Sequence, residues 1–174
     1  MKSLLLLFAV LPLALEAAPT GGSTSKQSFM SDKTEVTVDL EVSGAEALCQ
    51  TDDGYVWIAQ YSGLTRYDSK EYVTYKNFTE NGVDYSIINV RALASKGNAL
   101  YVATYKNIFI YEDNHFSSIN VDAGTIRDIA FDGTNDLLYI SSYDKGATLY
   151  DFKNKAYSKL PLLEEGNVND IAFF

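Results

Sequence analysis

One cysteine, one histidine and three prolines in 174 residues exclude several kinds of chemistry at once. Cys49 is alone, so no intrachain disulfide can form. It reads as a buried strand thiol, because its sequence neighbours bring no basic group to activate it. His115 sits in an Asp-Asn-His turn and reads as a solvated turn residue; alone, it cannot build a His-based metal cluster or a triad. Cations are scarce, with 14 Lys and Arg against 23 Asp and Glu and a formal net charge of −9. Nucleic acid and anionic lipid both need clustered Lys and Arg, so neither is expected as a partner. After Leu15 no apolar run approaches the roughly 20 residues of a spanning helix. The adjacent acids Asp52-Asp53 and Glu164-Glu165 fall in turns and read as solvated charges, not as an acid-base pair. There is no phosphate-cradling glycine loop. The chain shows no catalytic constellation, no metal site and no call for a cofactor.

What is abundant is aromatic: 13 Tyr, 9 Phe and one Trp, a load suited to sheet. The first residues are an address. Lys2, the 13-residue apolar run Ser3–Leu15 and the small residues Ala17-Ala18 read as a secretory signal peptide over 1–18. Leu15 or Glu16 falls where cleavage prefers a small residue, so an uncleaved anchor is the alternative. Both put the remainder outside the cytoplasm, periplasmic or at the cell surface. Residues 19–33 are Gly, Ser, Thr and Lys rich and read as a flexible leader. Thr34–Val42 alternates polar and apolar residues as a half-buried strand does, and is expected to complete the last blade of the array described next.

One phrase then recurs. Ala47–Ala59 is matched by Arg91-Ala92-Leu93 with Leu100–Ala103, and again by Arg127-Asp128-Ile129 with Leu138–Ser141. Val168–Ala172 begins a fourth copy. Trp57 and Tyr101 are 44 residues apart, Tyr101 and Tyr139 are 38 apart, and the difference falls in loops. Turn signals at Asp53-Gly54, Gly97-Asn98 and Gly133-Thr134 divide the first two strands of each unit. A repeat of about 40 residues with four strands is the mark of a β-propeller. The expected fold is therefore all-β: a partial propeller over 34–174, with blades near 45–78, 88–121 and 125–162 and the first strand of a next at 167–174.

Second-strand faces agree with that. Val56, Leu100 and Leu138 lie on one side with Ile58, Val102 and Ile140. Trp57, Tyr101 and Tyr139 lie on the other with Ala59, Ala103 and Ser141. A strand apolar on both sides is sandwiched between layers, here neighbouring blades. Rings of about 4–8 blades are usual, so this chain reads as the N-terminal piece of a longer protein, expected to self-associate or to continue into further blades.

Gln50–Asp68 resembles the two-component regulator propeller repeat: a strand, an Asp-Gly turn at 53–54, Trp57-Ile58, Gly63-Leu64 and Arg66-Tyr67-Asp68. Ala59-Gln60 stands where Gly-Thr is usual. The second copy keeps Tyr101–Thr104 but has Asn107-Ile108 for Gly-Leu; the third keeps Tyr139–Ser142 and Gly146-Ala147. The resemblance implies an extracytoplasmic sensor propeller of a hybrid histidine kinase or diguanylate cyclase, its membrane helix and output domain lying outside this chain.

Two series of residues share one end of the blades. Tyr61, Tyr105 and Tyr143 each follow the central aromatic by four residues. Arg91, Arg127 and Asn169 each precede an inward Leu or Ile by two. The tyrosines and the two arginines are candidates to bind an extracellular small molecule or glycan, with rings stacking on flat faces and guanidinium pairing with carboxylate or sulfate. The plain alternative is that the tyrosines pack between blades and the arginines make rim ion pairs. Asp52 is expected to cap its turn by accepting backbone N–H bonds. Rival functions are a propeller lyase or hydrolase, which would need groups from later blades, and a protein-interaction scaffold.

Overall fold

The computed structural model describes residues 36–37, 44–161 and 166–172. Every regular element among them is a strand: β1 (Val36–Thr37), β2 (Ala45–Gln50), β3 (Val56–Gln60), β4 (Gly63–Tyr67), β5 (Tyr72–Tyr75), β6 (Asn77–Glu80), β7 (Val83–Ser86), β8 (Val90–Lys96), β9 (Ala99–Thr104), β10 (Ile108–Glu112), β11 (His115–Ile119), β12 (Ile126–Asp132), β13 (Leu137–Ser142), β14 (Ala147–Asp151) and β15 (Ala156–Lys159). β2–β5, β8–β11 and β12–β15 are three four-stranded antiparallel meanders, the blades. Signal peptide and leader lie outside the described residues.

Turn chemistry explains the short connections. Asp53, not Asp52 as expected, caps the first turn: its Oδ1 accepts from Thr51 Oγ1 (2.6 Å) and Tyr55 N (3.4 Å). Asp52 instead joins blades through its backbone, its N donating to Gly97 O at 2.9 Å. Gly63 opens β4 at φ 152°, and a Cβ there would lie 2.7 Å from the Tyr75 carbonyl oxygen. Only glycine lets β4 start so close to its neighbour.

The blades pack face to face. Trp57, Ala59, Leu64 and Tyr75 of the first meet Leu100, Val102, Phe109, Tyr111 and Phe116 of the second. Tyr101, Ala103, Ile108 and Ile119 of the second meet Ile129, Leu138 and Ile140 of the third. β9 is buried along its whole length, as a strand between two layers must be. Trp57 lies 4.8 Å, centroid to centroid, from Tyr111, and its Nε1 donates to Thr51 Oγ1 at 3.1 Å. Tyr101 stacks on Phe131 at 4.7 Å. Burial pushes the Tyr101 hydroxyl up to about 12, so the ring stays neutral.

The Arg66-Tyr67-Asp68 string is consumed by structure. The Arg66 guanidinium lies 4.3 Å from the Tyr55 centroid, and its Nη1 donates to Tyr111 Oη across the blade boundary at 3.0 Å. Tyr67 stacks on Tyr72 at 4.4 Å. Asp68 Oδ1 accepts from Lys70 N and Glu71 N, closing the β4–β5 turn.

Three features depart from expectation. The connection between the first two blades holds a hairpin, β6–β7, turning at Asn81-Gly82 with both residues at positive φ (51° and 79°). Asn-Gly is a favoured two-residue hairpin turn because both residues tolerate that region. Phe78 on this hairpin is buried against Phe109 and Phe116, and Glu80 accepts from Ser118 N at 3.0 Å. Second, β1 pairs with β5 on the outer edge of the first blade, Val36 opposite Tyr75. The edge of β5 offers unpaired backbone groups, and the N-terminal strand satisfies them instead of completing the last blade. Third, 166–172 forms no strand, yet it docks on the third blade: Val168 N donates to Ser142 O at 2.9 Å, and Ile171 N to Asp128 Oδ2 at 3.2 Å.

The interleaved aromatic seam sets a first prediction. Trp57→Ala should destabilise the chain by about 3–5 kcal/mol in urea unfolding followed by circular dichroism. Trp57→Phe, which loses chiefly the Thr51 bond and some volume, should cost about 1–2 kcal/mol. A loss near zero for Trp57→Ala would mean that the seam does not hold the blades.

Candidate functional site

Each innermost strand carries a β-bulge at the same place. Pairing skips one residue between Ala45 and Ala47, between Val90 and Ala92, and between Ile126 and Asp128. The extra residues are Glu46, Arg91 and Arg127. A bulge leaves its extra residue outside the ladder and re-aims its side chain. The two arginines chosen from sequence thus share a structural cause, and Glu46 is their counterpart in the first blade. Glu46 was legible by the same rule, since it stands two residues before Leu48.

Tyr61, Tyr105 and Tyr143 follow β3, β9 and β13 at this end. Backbone bonds tie these loops to the starts of innermost strands: Asn89 N donates to Tyr61 O (2.8 Å), Ile126 N to Tyr105 O (3.0 Å) and Tyr143 N to Thr125 O (2.9 Å). The rings stay outside the blade packing, with exposures of 67%, 43% and 52%. Packing among the described blades leaves much of each ring exposed. The arginines divide. Arg91 Nη1 lies 3.9 Å from Glu46 Oε2, a rim ion pair. The Arg127 guanidinium lies over the Tyr143 ring, 5.0 Å from its centroid. Of the five candidates, Tyr143 and Arg127 are in side-chain contact, and Tyr61 and Tyr105 are tied to the arginine strands through backbone.

The loops beside Arg127 are rich in committed acids. Asp144 accepts from Thr125 N (2.7 Å) and Ser142 Oγ (2.8 Å). These bonds, Thr125 first, hold its carboxyl below the usual range. Asp122 pairs with Lys145. Gly124 is at φ 71°, and a Cβ there would run into Asp144.

Asp128 was not singled out from sequence. It occupies the register place held by Ala47 and Ala92 in the other blades. Burial first, then a hydrogen bond with the neighbouring Asp170, raises its carboxyl above the ordinary range, while Ile171 N opposes that shift. Among the described residues, no group of three or more His, Cys, Asp or Glu is placed to hold a metal ion.

No family model matches the chain, and no curated protein does. The likeness of Gln50–Asp68 to the two-component regulator propeller repeat therefore remains a resemblance. Among solved structures, the chain is similar to the extracellular domain of BT4673 from B. thetaiotaomicron, described once as a putative one-component and once as a putative hybrid two-component system. The first match has 16% identity and a TM-score of 0.42, covering 77% of this chain and 24% of that one. The second has 15% identity and a TM-score of 0.42, covering 75% and 23%. The chain thus spans about a quarter of those domains. At this level the likeness carries no functional argument, and the fold stands on the strand pairing.

The Asp128 seam sets a pH prediction. A carboxyl raised in the folded state stabilises fully below its unfolded value, near 4, and that contribution is lost as pH rises through the folded value. Asp128→Asn, which still offers an oxygen to Ile171 N, should therefore raise the melting temperature at pH 7 and leave it unchanged at pH 3.5. An equal shift at both pH values would assign the effect to something other than ionisation.

Proposed function

We propose that this chain is an extracytoplasmic ligand-sensing propeller module of a bacterial membrane signalling protein. The observation that carries the reading is the recurrence, blade after blade, of an exposed tyrosine beside a bulged polar residue at one end of the innermost strand. Folding gains little from leaving three large rings in water, so their repetition points to use. Rings at Tyr61, Tyr105 and Tyr143 suit the flat faces of a sugar or an aromatic molecule, and Arg91 and Arg127 suit its carboxylate or sulfate.

Support for the signalling context is the repeat resemblance at Gln50–Asp68; support for export is the apolar N-terminal address. The output domain and membrane span belong to sequence outside this chain. On the same reading, the outer flank of the first blade, where Leu48 is 66% exposed, seats a further blade or a second copy.

The test is calorimetric titration of the exported protein with a panel of neutral and acidic oligosaccharides and aromatic acids. Tyr105→Ala and Arg127→Ala should each weaken whichever compound binds by about tenfold or more. Unchanged affinity in both variants would remove the site.

A further inference from the structure

The bulged residues are not equivalent in charge, and that difference sorts the two arginines. β2 and β8 bring Glu46 beside Arg91, so the first guanidinium has a carboxylate partner at 3.9 Å. Among the described residues, Arg127 has no carboxylate partner. Its guanidinium lies over a ring face, that of Tyr143. The described acids on nearby connections are engaged elsewhere: Asp122 with Lys145, Asp144 with Thr125 N and Ser142 Oγ, Asp128 with Ile171 N, and Asp170 with Asp128. A guanidinium over an aromatic face keeps its in-plane N–H donors free for an oxyanion. One already facing a carboxylate must exchange that partner for the ligand.

We propose that Glu46 biases the anion selectivity of this end of the propeller: it pairs with Arg91 and leaves Arg127, among the described residues, as the guanidinium more open to a ligand. The face then takes a single carboxylate or sulfate, seated at the Arg127–Tyr143 corner, with Tyr105 beside it. A ligand bearing two anionic groups, one per blade, is disfavoured because its second group meets the Glu46 carboxylate. This rests on the ligand-binding reading above and deepens it from a polar ligand to one with one oxyanion.

Inorganic sulfate and acetate are the probes, added to the full chain at constant ionic strength and followed by the arginine Nε–H resonances in nitrogen-15 NMR. In the native protein both anions should shift the Arg127 signal at lower concentration than the Arg91 signal, by up to about fivefold. Glu46→Gln should strengthen the Arg91 response by up to about fivefold, bringing it level with the Arg127 site, since an exposed partner charge is worth about 0–1 kcal/mol. Arg127→Gln should lose the native response by about tenfold or more, and Arg91→Gln should leave it intact. Glu46 and Arg127 are exposed, and an unchanged melting temperature in each variant establishes that the fold is kept.

Equal native responses from both arginines, or an Arg91 response that Glu46→Gln does not strengthen, would overturn the assignment. So would silence of both arginines toward both anions. Silence with a panel compound that still loses affinity in Tyr105→Ala would sink this proposal alone and leave the ligand-binding reading standing. If sulfate acts and acetate does not, the single site holds and its chemistry narrows to the tetrahedral anion.

Discussion

A blade of four short strands cannot hide its own apolar side chains, because both faces of its second strand are apolar. Its stability comes from the blade beside it. Large residues on one side of the strand alternate with small ones, Trp57 with Ala59 and Tyr101 with Ala103, and the opposing blade fills the steps with Leu100, Val102, Phe109 or with Leu138, Ile140. Burial of this kind is worth about 25 cal/mol per Å² of apolar surface. It is also demanding: interiors at crystal-like density punish an added or missing methylene. The inward positions are therefore committed, and chemistry is pushed to the ends of the strands.

At those ends the backbone repeats while the side chains vary. Three bulges in one register present Glu46, Arg91 and Arg127, and three loops present Tyr61, Tyr105 and Tyr143. Aromatic surface is kept constant from blade to blade while charge changes sign. A row of similar rings with unequal charges has two distinguishable ends. That property comes from the bulge residue, which is free of ladder pairing and so free to change.

The strands, their faces and the repeat register were legible because period-two alternation is imposed by geometry alone, and the indels could be placed by counting between Trp57, Tyr101 and Tyr139. The exposed end of the blades was legible for the same reason. What escaped was pairing. Whether Asp52 or Asp53 caps a turn depends on which carboxylate faces Thr51 and Tyr55, and adjacent identical residues look alike in a string. A bulge exists only as a mismatch between two strands, so Glu46 and Arg91 could not be seen as partners. The β6–β7 hairpin had its signal in Asn81-Gly82, yet the flanking strands are of four residues each and mostly polar, too short for alternation to stand out. β1 kept its strand character but chose the nearer open edge.

The three seams of the array differ in kind. The first is aromatic, with Trp57, Tyr75, Tyr111 and Phe116 in mutual ring contact. The second is aliphatic in its buried centre, with Tyr101, Phe131 and Phe152 in ring contact at its edge. The third, between the last blade and 166–172, has Asp128 where the others have alanine and Ser141 where they have Ala59 and Ala103. Removing apolar surface from water drives the first two seams together, whereas hydrogen bonds exchanged with water drive the third only weakly. An ionised Asp128 opposes it further. Separation at the third seam thus costs less than separation at either of the other two, and Ser142, whose hydroxyl donates to Asp144 and whose carbonyl accepts from Val168 N, lies one residue from the Tyr143–Arg127 corner.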